Sequence, residues 1–143
     1  MRIMAVDYGD VRTGIAVSDL SAKLAGEAWV LTEKDALTAA QKIAREAVSR
    51  EVATIVVGHP INMDGSTGPR AEKSERLAEA IRGLCEADVV LWDERMTTLG
   101  ANRILTETGR FGKKRKQTVD AVAASLILDS YLSFMTLQSG TQQ

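Results

Sequence analysis

Cysteine and histidine are almost missing from this chain. Its 143 residues hold one of each, Cys85 and His59. A single cysteine excludes a disulfide within the chain. A single histidine beside it excludes a Cys/His zinc site. Aromatic residues make up only 4%, so the core must be built from Ala, Val, Leu and Ile. No apolar run approaches the roughly 18 residues that span a bilayer. The first residues show no charged lead, apolar stretch and small-residue cleavage site of a secretory signal. These absences point to a cytoplasmic protein without membrane contact. Charge of one sign is also lacking, with a net charge of -1 and a pI of about 5.9. That excludes a protein that coats nucleic acid by bulk charge, and leaves binding to local patches.

What is present is an ordinary globular composition, 45% hydrophobic. The length fits one domain, 1–137, followed by a polar tail, 138–143, expected to fray. Ile3 to Asp7 reads as an apolar strand and Thr13 to Ser18 as a second, joined across Tyr8 to Arg12 as a hairpin. Gly14 interrupts the second strand, as where a backbone or ligand comes close. A weaker third strand is expected near Ala28 to Leu31. Between Asp35 and Glu51, Leu37, Ala40, Ile43, Ala44, Ala47 and Val48 recur at helical spacing, which predicts one buried face. Ala53 to Val57 reads as a strand buried on both faces. After a loop over Gly58 to Gly68, Pro69 opens a helix carrying Leu77, Ala78, Ile81, Leu84 and Cys85. Val89 to Trp92 is again a buried strand. Thr97 caps a helix to about Thr108, and Thr118 caps a last one to about Leu137. Helices alternating with apolar strands after an antiparallel hairpin predict an α/β fold, a mixed sheet with helices on both faces.

Three carboxylates fall where such a sheet brings residues together. Asp7 ends the first strand, Glu94 follows VVLW, and Asp120 lies in the first turn of the last helix. Ligands of open α/β sheets collect outside the carboxyl ends of the strands. Two like charges about 4 Å apart repel by about 4 kcal/mol at an effective dielectric of ~20. Three converging acids therefore call for a divalent cation, and carboxylates suit Mg²⁺ or Mn²⁺. Such sites hydrolyse phosphodiesters. Asp93 and Glu94 point to opposite faces, so one of them serves the site; Glu94 is preferred, with Asp93 in reserve. The competing readings are a turn residue for Asp7, a solvated strand end for Asp93 and Glu94, and a helix-dipole acid for Asp120.

Two loops suit phosphate. Gly58 to Gly68 leads into the helix start at Pro69, where backbone amides attract anions. Asn62 and Arg70 stand there as candidate phosphate or sugar contacts, while His59 reads as structural. Arg110 to Lys116 is a basic loop whose Lys113, Lys114, Arg115 and Lys116 form the one dense positive patch, just before Asp120. Phosphates repelled by the acids would be held by it.

Four segments together resemble the YqgF/RuvX family, known as pre-16S rRNA nuclease and Holliday-junction-resolvase-like. They are Ala5 to Gly9 with Arg12 to Asp19, Val57 to Gly65, Asp93 to Thr98, and Val119 to Ala124. The resemblance runs through nearly the whole chain in the same order. It implies a ribonuclease-H-like fold, with a mixed five-stranded sheet flanked by helices. It also implies a metal-dependent nuclease acting on structured RNA or branched DNA, and maturation of the 5′ end of 16S ribosomal RNA. By motif match, Asp7, Glu94 and Asp120 become the metal-binding catalytic acids, and Arg12 and Arg95 substrate contacts. His59 stands where the family more often has an apolar residue. Two other classes compete: a non-cutting nucleic-acid-binding module, which gains nothing from three acids, and a phosphotransferase of the sugar-kinase and actin type, which needs two such domains around ATP.

Overall fold

The computed structural model describes the backbone of residues 1–22, 25–96 and 115–141, and their side chains except at 25, 115–120 and 138–141. The described elements are β1 (Arg2–Asp7), β2 (Arg12–Ser18), β3 (Ala25–Thr32), α1 (Ala36–Ser49), β4 (Val52–His59), α2 (Pro69–Arg82), β5 (Asp88–Asp93), a 3-10 turn (Glu94–Met96) and α3 (Arg115–Thr141). The strands form one five-stranded sheet in the order β3-β2-β1-β4-β5. β1, β2 and β3 pair antiparallel, whereas β1, β4 and β5 run parallel. This is the mixed sheet expected from the alternation of elements.

Local chemistry explains the elements. The β1–β2 turn needs Gly9, because a Cβ there would overlap the carbonyl oxygen of Arg12. Asp35 caps α1, its Oδ2 accepting from the Thr38 amide at 2.9 Å, a bond worth about 1 kcal/mol. α1 buries Ala39, Ala40, Ile43, Ala44 and Ala47. Leu37 and Val48, expected on that face, are instead 58% and 67% exposed. At 100° per residue they sit about 90° and 110° from the centre of the alanine-rich stripe. The small side chains let α1 lie close to the sheet, and the two larger ones are turned to its flanks. α2 ends at Arg82 with Gly83 as its cap, so Leu84 and Cys85 lie beyond the helix expected to carry them.

Strand alternation divides the apolar residues between two cores. Met4, Val6, Ile15, Val17, Ile55 and Val57 pack under α1 and α2 with Ile43, Leu77 and Ile81. Ile3, Ala5, Ala16 and Val56 face the other way, against Ala124, Ile127, Leu128 and Leu132 of α3. β4 is buried on both faces, as its apolar run predicts; Ile55, Val56 and Val57 have no exposed surface. β5 is less enclosed than expected: among the described residues β4 is its one strand neighbour, and Val90, Leu91 and Trp92 are only half-buried.

α3 begins at Arg115, before the Thr118 expected as its cap, and continues past Leu137 to Thr141. Arg115 and Lys116 therefore belong to the helix and not to a basic loop, which accords with the good helix propensity of Arg, Lys and Gln. The helix expected from Thr97 to Thr108 and the basic residues Lys113 and Lys114 lie outside the described residues. Among the described residues, no helix is long and apolar enough to cross a membrane.

The two faces of α1 should respond differently to truncation. Ile43→Ala removes a fully buried side chain and should lower unfolding free energy by about 2–5 kcal/mol. Leu37→Ala should stay within about 0.5 kcal/mol of wild type. Urea denaturation of both variants checks the orientation of the helix.

Candidate active site

β1 alternates between the two cores, so Asp7 follows Ile3 and Ala5 onto the α3 face while Tyr8 turns toward α1 and α2. Gly14 stands directly opposite Asp7 in the antiparallel register. Directly opposed residues share a face, so a glycine there leaves the carboxylate room. β5 has the same alternation. Val90 and Trp92 pack toward α3, and Glu94, in the 3-10 turn that follows, reaches the same side. Gly58 of β4 lies between the two acids. A Cβ added to it would come 2.6 Å from Glu94 Oε1 and 2.7 Å from Ile127 Cδ1. Glu94 therefore occupies space that only glycine leaves open.

Asp7 and Glu94 meet, and their side chains are hydrogen-bonded. Burial, then the charge of Asp7, then the hydrogen bond between them push the Glu94 carboxyl up to about 7. Arg70, in the first turn of α2, opposes that shift by its charge. Asp93 is engaged elsewhere. Its Oδ2 pairs with Arg95 Nη2 at 2.6 Å, and its Oδ1 accepts from the Arg95 amide at 2.9 Å. The arginine hydrogen bond holds the Asp93 carboxyl below its ordinary value. The choice left open by the sequence is thus decided for Glu94 as the partner of Asp7.

The candidate substrate contacts gather unevenly. Asn62, Arg70, Glu94 and Arg95 line one cavity of about 370 Å³ with Pro60, Ile61, Met63 and the start of α2. Within it, Asn62 supports its own loop. Its Nδ2 donates to Ser66 Oγ at 3.0 Å and its amide to the Ser66 carbonyl at 2.9 Å, closing the turn. Arg95 holds the same loop through the Met63 carbonyl at 3.5 Å. Arg12 is exposed at the start of β2, on the face of Gly14 and Asp7, and does not line this cavity. His59 contacts Glu75 of α2 at 3.2 Å, which fits the structural role expected of it.

Asp120 lies on α3, and its side chain is outside those described, as are the side chains of Arg115 and Lys116. Position 120 precedes Ala124 by four residues and Ile127 by seven along α3. Among the described residues no group of three His, Cys, Asp or Glu is close enough to hold a metal. The described acids form a pair.

In the sequence Gly58 reads as the start of a loop, not as part of the site. The available signal is its position two residues after Val56, on the same face of a buried strand.

Two measurements test this geometry. In metal-free protein, a carboxyl raised to about 7 from 4.5 binds more protons folded than unfolded across that interval. Its contribution is full below the unfolded value and is lost as pH rises through about 7. Melting temperature in EDTA should therefore fall between pH 5 and 8 in wild type and stay flatter in Glu94→Gln; equal slopes would refute the shared proton. Gly58→Ala should displace Glu94 and cost about 1–3 kcal/mol, read by thermal melting.

Comparison with known proteins shows the family and the fold. Residues 1–134 match the RuvX family, described as Holliday junction resolvase. A protein of Ruminiclostridium cellulolyticum named "Putative pre-16S rRNA nuclease" is 41% identical, covering 92% of this chain and 94% of its own length. One of the same name from Halothermothrix orenii is also 41% identical, over 98% of this chain and 100% of its own. Among solved structures, Thermus thermophilus RuvC in complex with Holliday junction substrate superposes with a TM-score of 0.60 at 14% identity, covering 94% of this chain and 96% of that one. The fowlpox virus resolvase in complex with junction DNA gives 0.58 at 14% identity, covering 94% and 99%. At such identity the likeness is one of fold, the ribonuclease-H-like fold of these resolvases. With an acid pair at the carboxyl ends of β1 and β5 and a family match over nearly its full length, the chain belongs to the RuvX family of resolvase-like nucleases.

Proposed function

We propose that this protein is a divalent-metal-dependent nuclease that hydrolyses phosphodiester bonds of structured nucleic acid, acting in the cytoplasm on the 5′ end of pre-16S ribosomal RNA. The observation that carries the reading is the Asp7–Glu94 pair. Two carboxyl groups in contact, one of them raised to about 7, hold at neutral pH either a shared proton or a cation. Oxygen donors of this kind fit Mg²⁺ or Mn²⁺. Asp7, Glu94 and Asp120 would be the ligands; the place of position 120 along α3, four residues before Ala124 and seven before Ile127, supports the third.

The chemistry that bound Mg²⁺ or Mn²⁺ supplies is activation of water and stabilisation of charge on the phosphate and leaving oxygen. The chain's own residues do the rest. Gly58 and Gly14 leave the acids space, and the Ile127 side chain closes the inner wall beside Glu94. Arg70 brings positive charge to the Glu94 side of the cavity. Arg95, tied to Asp93 and to the Met63 carbonyl, fixes the loop that forms the outer wall. Arg12, Lys113, Lys114, Arg115 and Lys116 are proposed to hold flanking phosphates, which position the strand without reading its sequence. Ribosomal RNA is preferred because the curated relatives carry that name. A four-way DNA junction is the second substrate, favoured by the family description.

Cleavage of precursor 16S RNA and of a four-way junction, assayed side by side, should need Mg²⁺ or Mn²⁺ and stop in EDTA. Asp7→Asn and Asp120→Asn should each lower the rate at least about 100-fold, a loss of roughly 2.7 kcal/mol of transition-state stabilisation, with unchanged circular dichroism. An Asp120→Asn protein that cleaves like wild type would remove Asp120 from the site. A wild-type protein that binds both substrates tightly and cuts neither under any metal would replace the nuclease with a binding module.

A further inference from the structure

The α1/α2 side of the sheet carries a second cavity, of about 460 Å³, that the acid site does not use. Its size is within the roughly 300–1,000 Å³ of small-molecule sites. Tyr8, Leu37, Leu77 and Ala80 give it apolar and aromatic walls, while Lys34 and Arg76 bring positive charge. Lys73 and Asp10 also line it, but they pair with each other at 2.8 Å and so tie the β1–β2 turn to α2. Among the described residues, Lys34 and Arg76 make no ion pair. Tyr8 is half-buried and packs on the core beneath α1 and α2, which fixes its ring at the cavity wall.

α2 connects this cavity to the acid site. Arg70, Lys73 and Arg76 follow one another at intervals of three residues. At 100° per residue each step turns the row by about 60° around the helix, and the whole row advances about 9 Å. It starts at Arg70, whose charge acts on both Glu94 and Asp10, and ends at Arg76 in the cavity. The row thus runs from the cavity that Glu94 lines to the cavity that Tyr8 lines. Asp7, the last residue of β1, and Tyr8, the next, face the two sides of the sheet.

We propose that the cavity beside Tyr8 is a nucleotide-binding pocket, taking one unpaired base against Tyr8 and its phosphate between Lys34 and Arg76. An aromatic wall with flanking cations is the chemistry that holds single-stranded nucleic acid without sequence preference. The path along α2 makes the occupant a nucleotide of the substrate strand, displaced from the bond being cut; this part rests on the nuclease reading. A free mononucleotide has the same chemistry and is distinguished by experiment.

The test measures binding in EDTA, so that it stands apart from cleavage. Fluorescence anisotropy compares a blunt RNA duplex with the same duplex carrying a short single-stranded extension, between 50 and 200 mM salt. For wild type the extension should tighten binding about tenfold. Arg76→Gln and Lys34→Gln, both at exposed residues, should each remove most of that gain and lower the salt slope by about 0.7, the value for one phosphate on a single strand. Tyr8→Leu should lose the gain with the slope unchanged. Adenosine monophosphate that binds wild type and not Arg76→Gln, with no gain from the extension, would assign the pocket to a free nucleotide. No gain from the extension together with no mononucleotide binding overturns the proposal. Failure to cleave any substrate in Mg²⁺ would end the nuclease reading and leave these binding results standing.

Discussion

The parallel pairing of β4 with both β1 and β5 is the constraint on which this molecule turns. β1 and β5 are separated by most of the described chain, yet one strand in space divides them. Val6 of β1 is level with Val57, and Gly58 is level with Trp92 of β5. That register brings the ends of both outer strands to one edge of the sheet. Alternation puts Asp7 on the α3 face, and the turn after β5 brings Glu94 to that face beside Gly58 and Ile127. A one-residue slip in either pairing would send one acid to the opposite core, so β4, fully buried from Ile55 to Val57, keeps the two acids together by holding the register.

The acid pair has a cost that the rest of the site makes bearable. A carboxyl pushed up to about 7 by burial and by a neighbouring carboxylate is a poor stabiliser of a fold. Such perturbation gathers at functional sites because the function needs it. Arg70 tempers the shift by its charge, while Asp93, though paired with Arg95, still adds to it. Small residues do the steric part. Gly58 and Gly14 make room next to the acids, and Ala5 and Ala16 let α3 lie against the sheet.

Parts of this are legible in the residues alone. The strands IMAVD, TGIAVS and ATIVV, the proline-led α2 and the alternation of helix and strand all follow from local pattern, and each is present. Asp7 stands out as a candidate in the same way, as an acid closing a buried strand before a glycine turn. The departures are of one kind. Periodicity places Leu37 and Val48 on the buried face of α1 and makes VVLW fully enclosed, and neither holds. Periodicity reports which residues are apolar, not which neighbour arrives to cover them. The structure covers the alanine stripe and, among the described residues, gives β5 a single strand neighbour.

The sequence by itself determined the fold class, the core of small aliphatic residues and the family, because these depend on patterns within a few residues and on motifs read in order. It also supplied the candidate acids. Only the tertiary structure decided between Asp93 and Glu94 and joined Glu94 to Asp7 across Gly58. It also made Asn62 a support of its own loop and gave His59 its partner on α2. Those outcomes depend on register and on charge at short range. Both arise between residues far apart in the chain, where spacing along the sequence carries no information.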